Sequence, residues 1–190
     1  MSNGFPLSKK KKINGSRHLA REKVFQVLAA SSNGEIPFDD IFEHVFFRRF
    51  TFDSPEANSG GRILRPDEVE ELEADIPIEW ADDEVRYAIT IIEKIRDNRE
   101  IINDLIKRNL ENWEMERIAT LDKILLELAI AELLSCPDIP IKVTINEAIE
   151  LAKRYSTDKS GVFVNGIIDS VLSELKESGQ ISKMGRGLIE

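Results

Sequence analysis

One segment near the carboxyl end constrains the fold class more than any other part of the sequence. Residues 159–169 (KSGVFVNGIID) place the pair Asn165-Gly166 between two apolar runs, which is the strongest short-range pattern for a two-residue β-hairpin. From Val164 to Leu175, however, the apolar residues recur at intervals of three and four, and the sequence after the pair does not alternate. We therefore predict a helix. Because a glycine inside a helix costs up to ~1 kcal/mol relative to alanine, we expect a neighbouring helix to approach the backbone closely at Gly166.

Helical periodicity extends through most of the remaining sequence. Apolar residues at helical spacing indicate further helices at about residues 16–30, 38–50, 81–97, 99–112, 117–135 and 140–155. The first has Ser16 as a candidate N-cap and a basic face that includes Arg21 and Lys23, and in the last Glu150 and Arg154 are spaced to pair. A hairpin would have no sheet to join among these helices. The sequence thus predicts an all-α fold with about seven helices.

Charge is distributed unevenly along the chain, whose formal net charge is −9. Residues 1–24 carry seven basic residues against one acidic residue, whereas residues 53–84 carry twelve acidic residues against two basic ones. A local excess of basic residues is the usual electrostatic footprint of a nucleic-acid partner. We predict a flexible basic arm at 1–15, a single helical domain at 16–178 with an acidic insertion at about 51–84, and a flexible tail at 179–190. The insertion is either a solvated spacer or an acidic interaction segment.

No arrangement of residues for catalysis or metal binding is recognisable in the sequence. The two histidines, His18 and His44, have no second histidine or cysteine at metal-ligand spacing, and no glycine-rich phosphate loop occurs. The single cysteine, Cys136, precedes a proline and is expected to be a helix-end residue and not a nucleophile. One cysteine, the lack of a secretory signal and the lack of an apolar run of ~20 residues favour a soluble cytoplasmic protein. We expect no enzymatic activity, metal, cofactor or membrane contact.

Three stretches of the sequence carry a resemblance to a known family. Residues 138–172 (DIPIKVTINEAIELAKRYSTDKSGVFVNGIIDSVL) resemble the carboxyl-terminal signature of the NusB family of bacterial transcription antitermination factors, with INEAIELAK and FVNGIID as the most specific parts. Residues 116–134 (ERIATLDKILLELAIAELL) look like the family's central helix, and residues 16–30 (SRHLAREKVFQVLAA) look like its first helix. The resemblance covers residues 16–50 and 85–175, and the connection between them is longer than the family usually has.

The resemblance implies an all-α fold in which two helical subdomains pack across each other, and a role without enzymatic chemistry. Proteins of this family pair with a ribosomal protein of the small subunit, called NusE in this role, and together the two bind the boxA element of nascent RNA. This binding stabilises a processive RNA polymerase antitermination complex, notably on ribosomal RNA operons. The resemblance therefore implies boxA RNA, NusE and the polymerase complex as partners.

The resemblance also assigns residues to RNA binding, at the start of the first helix, in the preceding arm and in the turn before the last helix. These residues are Lys9, Lys10, Lys11, Lys12, Arg17, His18, Arg21, Thr157, Asp158, Lys159 and Ser160. Each phosphate contact adds salt-dependent affinity through counterion release, and the alternative is a solvated basic arm. Lys159 stands where the best-known members carry an acid. We expect Thr157 and Asp158 to cap the last helix, so that Lys159 lies in its first turn.

Three residues match positions that face NusE in the family: Asp122, Tyr155 and Phe163. The aromatic pair at the edge of a helix–turn–helix could instead belong to the core. Ala29 stands where some members have a partner-contacting tyrosine, and Glu127 stands where an arginine is common in the central helix. We therefore expect the strength of partner binding to differ from that of other members.

Two other functions are compatible with the sequence. A similar helical domain precedes the catalytic domain in some RNA cytosine methyltransferases, although the sequence ends at Glu190 and we expect no methyltransferase domain. The second alternative is a helical protein-interaction module that uses the acidic insertion and does not bind RNA. Binding to boxA-like RNA, with and without NusE, distinguishes these functions.

Overall fold

The computed structural model describes residues 13–32, 34, 36–47, 78–110, 114–157 and 159–183. Within these ranges the chain is mostly helical, as the sequence predicts. The elements are α1 (Arg17–Ser31), α2 (Phe38–Phe47), α3 (Asp82–Asp97), α4 (Arg99–Arg108), a 3-10 turn (Met115–Arg117), α5 (Thr120–Ser135), α6 (Ile141–Tyr155) and α7 (Ser160–Glu177). The lysines 9–12, Asp158 and the predicted insertion up to residue 77 lie outside the described residues.

Helix α5 is the centre of the hydrophobic core. Its side chains are buried on almost every side, including Leu125, Leu126, Ile130 and Leu133, as expected for a helix surrounded by other helices. Helices α1, α3 and α4 pack against it, and so do α6 and α7, which also pack along each other. Burying one such leucine or isoleucine contributes roughly 1.5–3 kcal/mol. Helix α5 therefore holds the group formed by α1, α3 and α4 together with the pair formed by α6 and α7.

The segment that resembles a hairpin forms helix α7, which confirms the predicted helix. The expected close approach at Gly166 is wrong, because Gly166 is exposed and no described atom outside its own stretch of helix lies within 4 Å of where a Cβ would stand. The close approach is at Gly161 instead. A Cβ there would lie 3.5 Å from Lys153 Cγ and 3.6 Å from Ile149 Cγ2. The small residue thus lets α6 and α7 meet at the start of α7.

A short parallel β-ladder departs from the all-helical expectation. Strand β1 (Ile13–Asn14) pairs with strand β2 (Ile78–Glu79), and the Gly15 N–H donates to the Glu79 carbonyl oxygen at 2.7 Å. A Cβ on Gly15 would overlap the Glu84 carboxylate and lie 2.6 Å from Trp80 Cε3. Glycine is therefore needed where the chain passes the start of α3. Residues 13–15 of the predicted flexible arm are held against the domain.

The chain beyond α7 is also packed further than predicted. Gly179 adopts a φ of 67°, and the Gln180 N–H donates at 2.9 Å to the carbonyl oxygen five residues earlier, which ends the helix. Ile181 then packs against the core, and Lys183 Nζ donates to the Cys136 carbonyl oxygen at 3.0 Å. Residues 179–183 thus differ from the flexible tail that the sequence predicts.

Candidate nucleic-acid interface

Arg21, on α1, lies in the protein interior with 3 % of its surface exposed. Its Nε donates to Glu132 Oε2 at 2.7 Å, and its Nη2 donates to Glu132 Oε1 at 3.3 Å. Burial lowers the pKa of Arg21, but attraction to Glu132 and the hydrogen bonds between them raise it overall, so the guanidinium stays charged. Lys23 is buried as well. The predicted basic face of α1 is therefore wrong at these two positions, and Arg21 joins helices where it was expected to meet RNA phosphates.

The Glu132 carboxylate, on α5, is fully buried and accepts hydrogen bonds from three other helices. Besides Arg21 on α1, Tyr87 on α3 donates its hydroxyl to Oε2, and Thr144 on α6 donates to Oε1 at 2.6 Å. Burial, and then the Glu132 charge, raise the pKa of Tyr87 well above its ordinary value, which keeps the phenol protonated as a donor. Because a buried charge is tolerated only when it is paired and hydrogen-bonded, this network fixes the start of α1 against α3, α5 and α6.

Arg17 and His18, in the first turn of α1, reach the surface but contact neighbouring groups. The Arg17 guanidinium lies over the Tyr87 ring, 5.0 Å from its centroid, and Nη2 is 3.5 Å from Asp83 Oδ2. His18 Nδ1 is 2.7 Å from Glu147 Oε2, and about half of the His18 side chain is exposed. These two residues are thus the described part of the predicted basic helix start that an anion can approach.

The turn between α6 and α7 presents some of its predicted RNA contacts and buries another. Lys159 is exposed and stands before Ser160, the first residue of α7, so the prediction that Lys159 lies in the first helical turn is wrong. Thr157 is also exposed. Ser160 is 2 % exposed, and its hydroxyl accepts from the Thr157 N–H at 3.2 Å. Ser160 therefore holds the turn together and is not accessible to RNA.

Asp122, predicted to face the protein partner, is buried beneath this turn. It is 7 % exposed, and its Oδ2 accepts from the Ser160 hydroxyl at 2.9 Å. Its other oxygen, Oδ1, is also shielded from solvent and has no hydrogen-bond partner among the described residues. The side chain therefore points into the structure, which contradicts the predicted contact with a partner.

Tyr155 and Phe163 pack against the core while remaining partly exposed. The Tyr155 ring lies 5.1 Å from the Phe25 ring, and the Tyr155 hydroxyl donates to Glu22 Oε1. Burial, and then this hydrogen bond, raise the pKa of Tyr155. Both aromatic side chains thus belong partly to the core, and their contact with a protein partner stays a prediction.

A cavity of about 290 Å³ adjoins the start of α1 and the last turns of α6. Its lining residues are His18, Glu150, Leu151, Lys153 and Arg154. Lys153 Nζ is 2.9 Å from Glu150 Oε1, whereas Arg154 pairs with Glu22 at 2.9 Å, so the predicted pair between Glu150 and Arg154 is wrong. Lys153 and Arg154 are candidate contacts that were not predicted from the sequence. Their position directly before the assigned turn was the available signal.

A larger groove, of about 400 Å³, opens where the end of α1 meets α2, α3 and the starts of α4 and α5. Its floor is apolar and includes Leu28, Ile92, Ile95 and Ile124, with Phe38 at one side. The cationic side chains that line it are Arg96, Arg99 and Lys123. No local sequence pattern predicts this groove, because it is assembled from segments that are distant along the chain.

Glu127 also lines this groove and is 4 % exposed. Burial raises the pKa of its carboxyl, and the charges of Lys123 and Arg99 oppose that rise only in part. The Lys123 Nζ stands 3.8 Å from Glu127 Oε1, which is a weak ion pair. The groove therefore contains an acidic group beneath its cationic side chains.

Elsewhere in the described ranges, no group of three or more histidine, cysteine or acidic residues could hold a metal ion. Burial raises the pKa of the Cys136 thiol to about 11, so it is protonated at neutral pH and is a poor nucleophile. None of the described helices is long and apolar enough to cross a membrane.

Comparison with known proteins gives a family match and several relatives. The model of the NusB family matches residues 63–173. The chain is 49% identical over 104 residues to a transcription antitermination protein NusB of Chloroherpeton thalassium, an alignment that covers 55% of this chain and 49% of the relative. It is 53% identical over 83 residues to the protein of that name from Thermotoga maritima, which covers 44% of this chain and 58% of the relative. The chain spans about half the length of the curated relatives it matches.

Solved structures extend the comparison to most of the chain. A structure of Thermotoga maritima NusB superimposes with a TM-score of 0.59 at 34% identity, over 85% of this chain and 94% of that one. A complex of the antitermination factors NusB and NusE with double-stranded RNA contains a similar chain, with a TM-score of 0.60 at 21% identity, over 83% of this chain and 96% of that one. At that identity the second likeness shows the fold alone. The all-α fold is thereby confirmed.

Proposed function

The chain belongs to the NusB family, and on that premise we propose that it is a transcription antitermination factor that binds boxA-type RNA together with the small-subunit ribosomal protein NusE. Its role is binding without catalysis, in the cytoplasm, within an RNA polymerase complex that transcribes ribosomal RNA operons. The observation that carries the proposal is the family match over residues 63–173, which includes α3 to α6 and most of α7.

The surface that supports RNA binding joins the start of α1 to the end of α6 and the turn that follows. His18 and Arg154 line one cavity, and Lys159 is exposed on the turn, four residues after Tyr155, the last residue of α6. Several of these cations already pair with acids, as Lys153 does with Glu150. Because exposed ion pairs contribute roughly 0–1 kcal/mol, an RNA phosphate can replace the carboxylate at little cost.

The surface that supports protein binding is the groove at the end of α1. An apolar floor lined by cationic side chains suits a protein with an apolar anchor surrounded by acidic residues. Tyr155 and Phe163 stay proposed contacts because both are partly exposed, and Asp122 is left out because it is buried. A solved complex of similar fold contains NusB, NusE and double-stranded RNA, which supports the same three-part assembly here.

The test is RNA affinity measured by fluorescence anisotropy with a boxA RNA and a scrambled RNA of equal length, across a salt series. We expect the boxA RNA to bind more tightly, and we expect added NusE to tighten it further. Lys159→Ala is the test variant and Lys176→Ala is its matched control, because the two substitutions remove exposed lysines at opposite ends of α7. Only the first should weaken RNA binding. Equal affinity for both RNAs, with and without NusE, would refute the proposal, and NusE binding without any RNA binding would favour the protein-interaction module.

A further inference from the structure

We propose that Asp122 is a positioning residue for RNA, which acts through Ser160 to hold the α6–α7 turn in the conformation that presents Lys159. The inference rests on the proposed RNA-binding function and changes the role of Asp122. The sequence assigns Asp122 to the protein partner, whereas the structure places it beneath the turn that the resemblance assigns to RNA.

The contact between Asp122 and Ser160 joins two helices at a buried point. Asp122 lies in the first turn of α5, and Ser160 is the first residue of α7. The Ser160 hydroxyl donates to Asp122 Oδ2 at 2.9 Å. Both oxygens of Asp122 are unavailable to a docking protein, since Oδ2 is engaged and Oδ1 is shielded from solvent. The carboxylate can therefore affect binding only through the groups that it holds.

The hydrogen-bond capacity of Ser160 explains how it holds the turn. A serine hydroxyl has one hydrogen to donate and two lone pairs to accept with. A carboxylate only accepts, so the hydrogen points to Asp122. One lone pair then accepts from the Thr157 N–H at 3.2 Å, and the other accepts from the Thr157 hydroxyl at 2.9 Å. Every hydrogen-bonding position of the Ser160 hydroxyl is thus filled. Because Asp122 takes the hydroxyl hydrogen, it determines that Ser160 accepts its hydrogen bonds from the turn.

Lys159 lies between the groups that this arrangement fixes. The Ser160 N–H donates to the Thr157 carbonyl oxygen at 2.9 Å, and the Lys159 carbonyl oxygen accepts from Phe163 N–H at 3.1 Å. The next residue, Gly161, is packed against Ile149 on α6. The backbone of Lys159 is therefore held on both sides while its side chain is exposed. Its ammonium group is positioned by Asp122, which it does not touch.

Charge and position make opposite predictions for Asp122→Ala, which makes the experiment decisive. Removing a negative charge near an RNA-binding surface strengthens binding if only charge matters. If Asp122 positions the turn, the same substitution weakens RNA binding several-fold. It also makes the negative slope of log affinity against log salt shallower by about 0.7–0.9, which corresponds to the loss of one phosphate contact. Asp122→Asn keeps an acceptor oxygen for Ser160 and should restore most of the RNA affinity. Glu174→Ala is the control, because it removes a carboxylate that pairs with Arg108 on α4 and does not contact the turn.

A double-mutant cycle on RNA affinity separates positioning from a general loss of stability. Asp122→Ala, Lys159→Ala and the double variant are compared with the unmodified protein, at a temperature well below all melting transitions. Lys159→Ala should have little further effect in the Asp122→Ala background, because its ammonium is already displaced. Ser160→Ala should behave as Asp122→Ala does, and it replaces that variant if the latter fails to fold.

Additive effects in this cycle, or tighter RNA binding by Asp122→Ala, would overturn the inference. So would an Asp122→Asn variant that loses NusE affinity while its RNA affinity is unchanged, because that result would restore Asp122 to the partner surface. Failure of the unmodified protein to bind boxA RNA would instead refute the proposed function itself.

Discussion

Gly166 gives the sharpest test of the helix that decides the fold class. The structure leaves it exposed in the middle of α7, with nothing described within 4 Å of an added Cβ from outside its own stretch of helix. Alanine should therefore remove the cost of glycine in a helix without any clash. We expect Gly166→Ala to raise the free energy of unfolding by up to ~1 kcal/mol. For a domain of this size, that corresponds to a rise of roughly 2–4 °C in melting temperature.

Gly15→Ala is the matched control, because the same substitution meets a different environment. A Cβ there would overlap the Glu84 carboxylate and lie 2.6 Å from Trp80 Cε3 and 3.1 Å from the Glu79 carbonyl oxygen. Displacing these groups should cost roughly 1–3 kcal/mol, as overpacking does elsewhere. The two variants should therefore shift stability in opposite directions.

Urea unfolding followed by circular dichroism measures both shifts. Equal slopes of free energy against urea for the two variants and the unmodified protein would show that the midpoints report stability. If Gly166→Ala lowers the midpoint, then α7 is either irregular at this position or covered by another part of the chain. Either outcome would refute the reasoning that placed Gly166 on an open helical surface.

Three further predictions concern charged side chains. Glu132→Gln should cost roughly 3–5 kcal/mol of stability in urea unfolding, because it leaves the buried Arg21 without its counter-charge, and full stability would contradict this. Burial raises the pKa of Glu127, so its ionised form weakens the folded state; Glu127→Gln should stabilise the protein at pH 7, and this gain should shrink as the pH falls through the raised pKa. Lys159→Asp should weaken boxA binding at low salt with an unchanged or slightly higher melting temperature, whereas Lys176→Asp should leave RNA affinity unaltered.

The helices could be predicted because their signal is local. The spacing of apolar residues in α7 and the serine at position 16, which caps α1 as predicted, depend only on neighbouring residues. The role of Arg21 could not be predicted in this way, because its partner Glu132 lies 111 residues away along the chain. The local sequence around an arginine does not distinguish an exposed arginine on a basic face from an arginine in a buried ion pair. Burial is decided by which carboxylate the fold brings near.

The candidate site was likewise predictable only in part. The family resemblance located the turn around Lys159, and the exposed positions there agree with an RNA contact. It could not tell which of those residues face inward, because Ser160 and Asp122 are polar and polar residues are usually exposed. The larger groove and the cavity beside His18 require several helices to be in place before either exists.

The shared carboxylate at the centre of the protein has a consequence for its motions. Helices α1, α3 and α6 each donate to Glu132 through one side chain, so none of them can detach from α5 without leaving a buried polar group unpaired. These four helices should therefore open together, and their amide hydrogens should exchange with solvent as one cooperative unit. Helices α2 and α4 contribute no donor to Glu132, and their amides should exchange earlier. Local opening would then be confined to α2 and α4, while the four helices joined at Glu132, which support the proposed RNA-binding surface, remain folded.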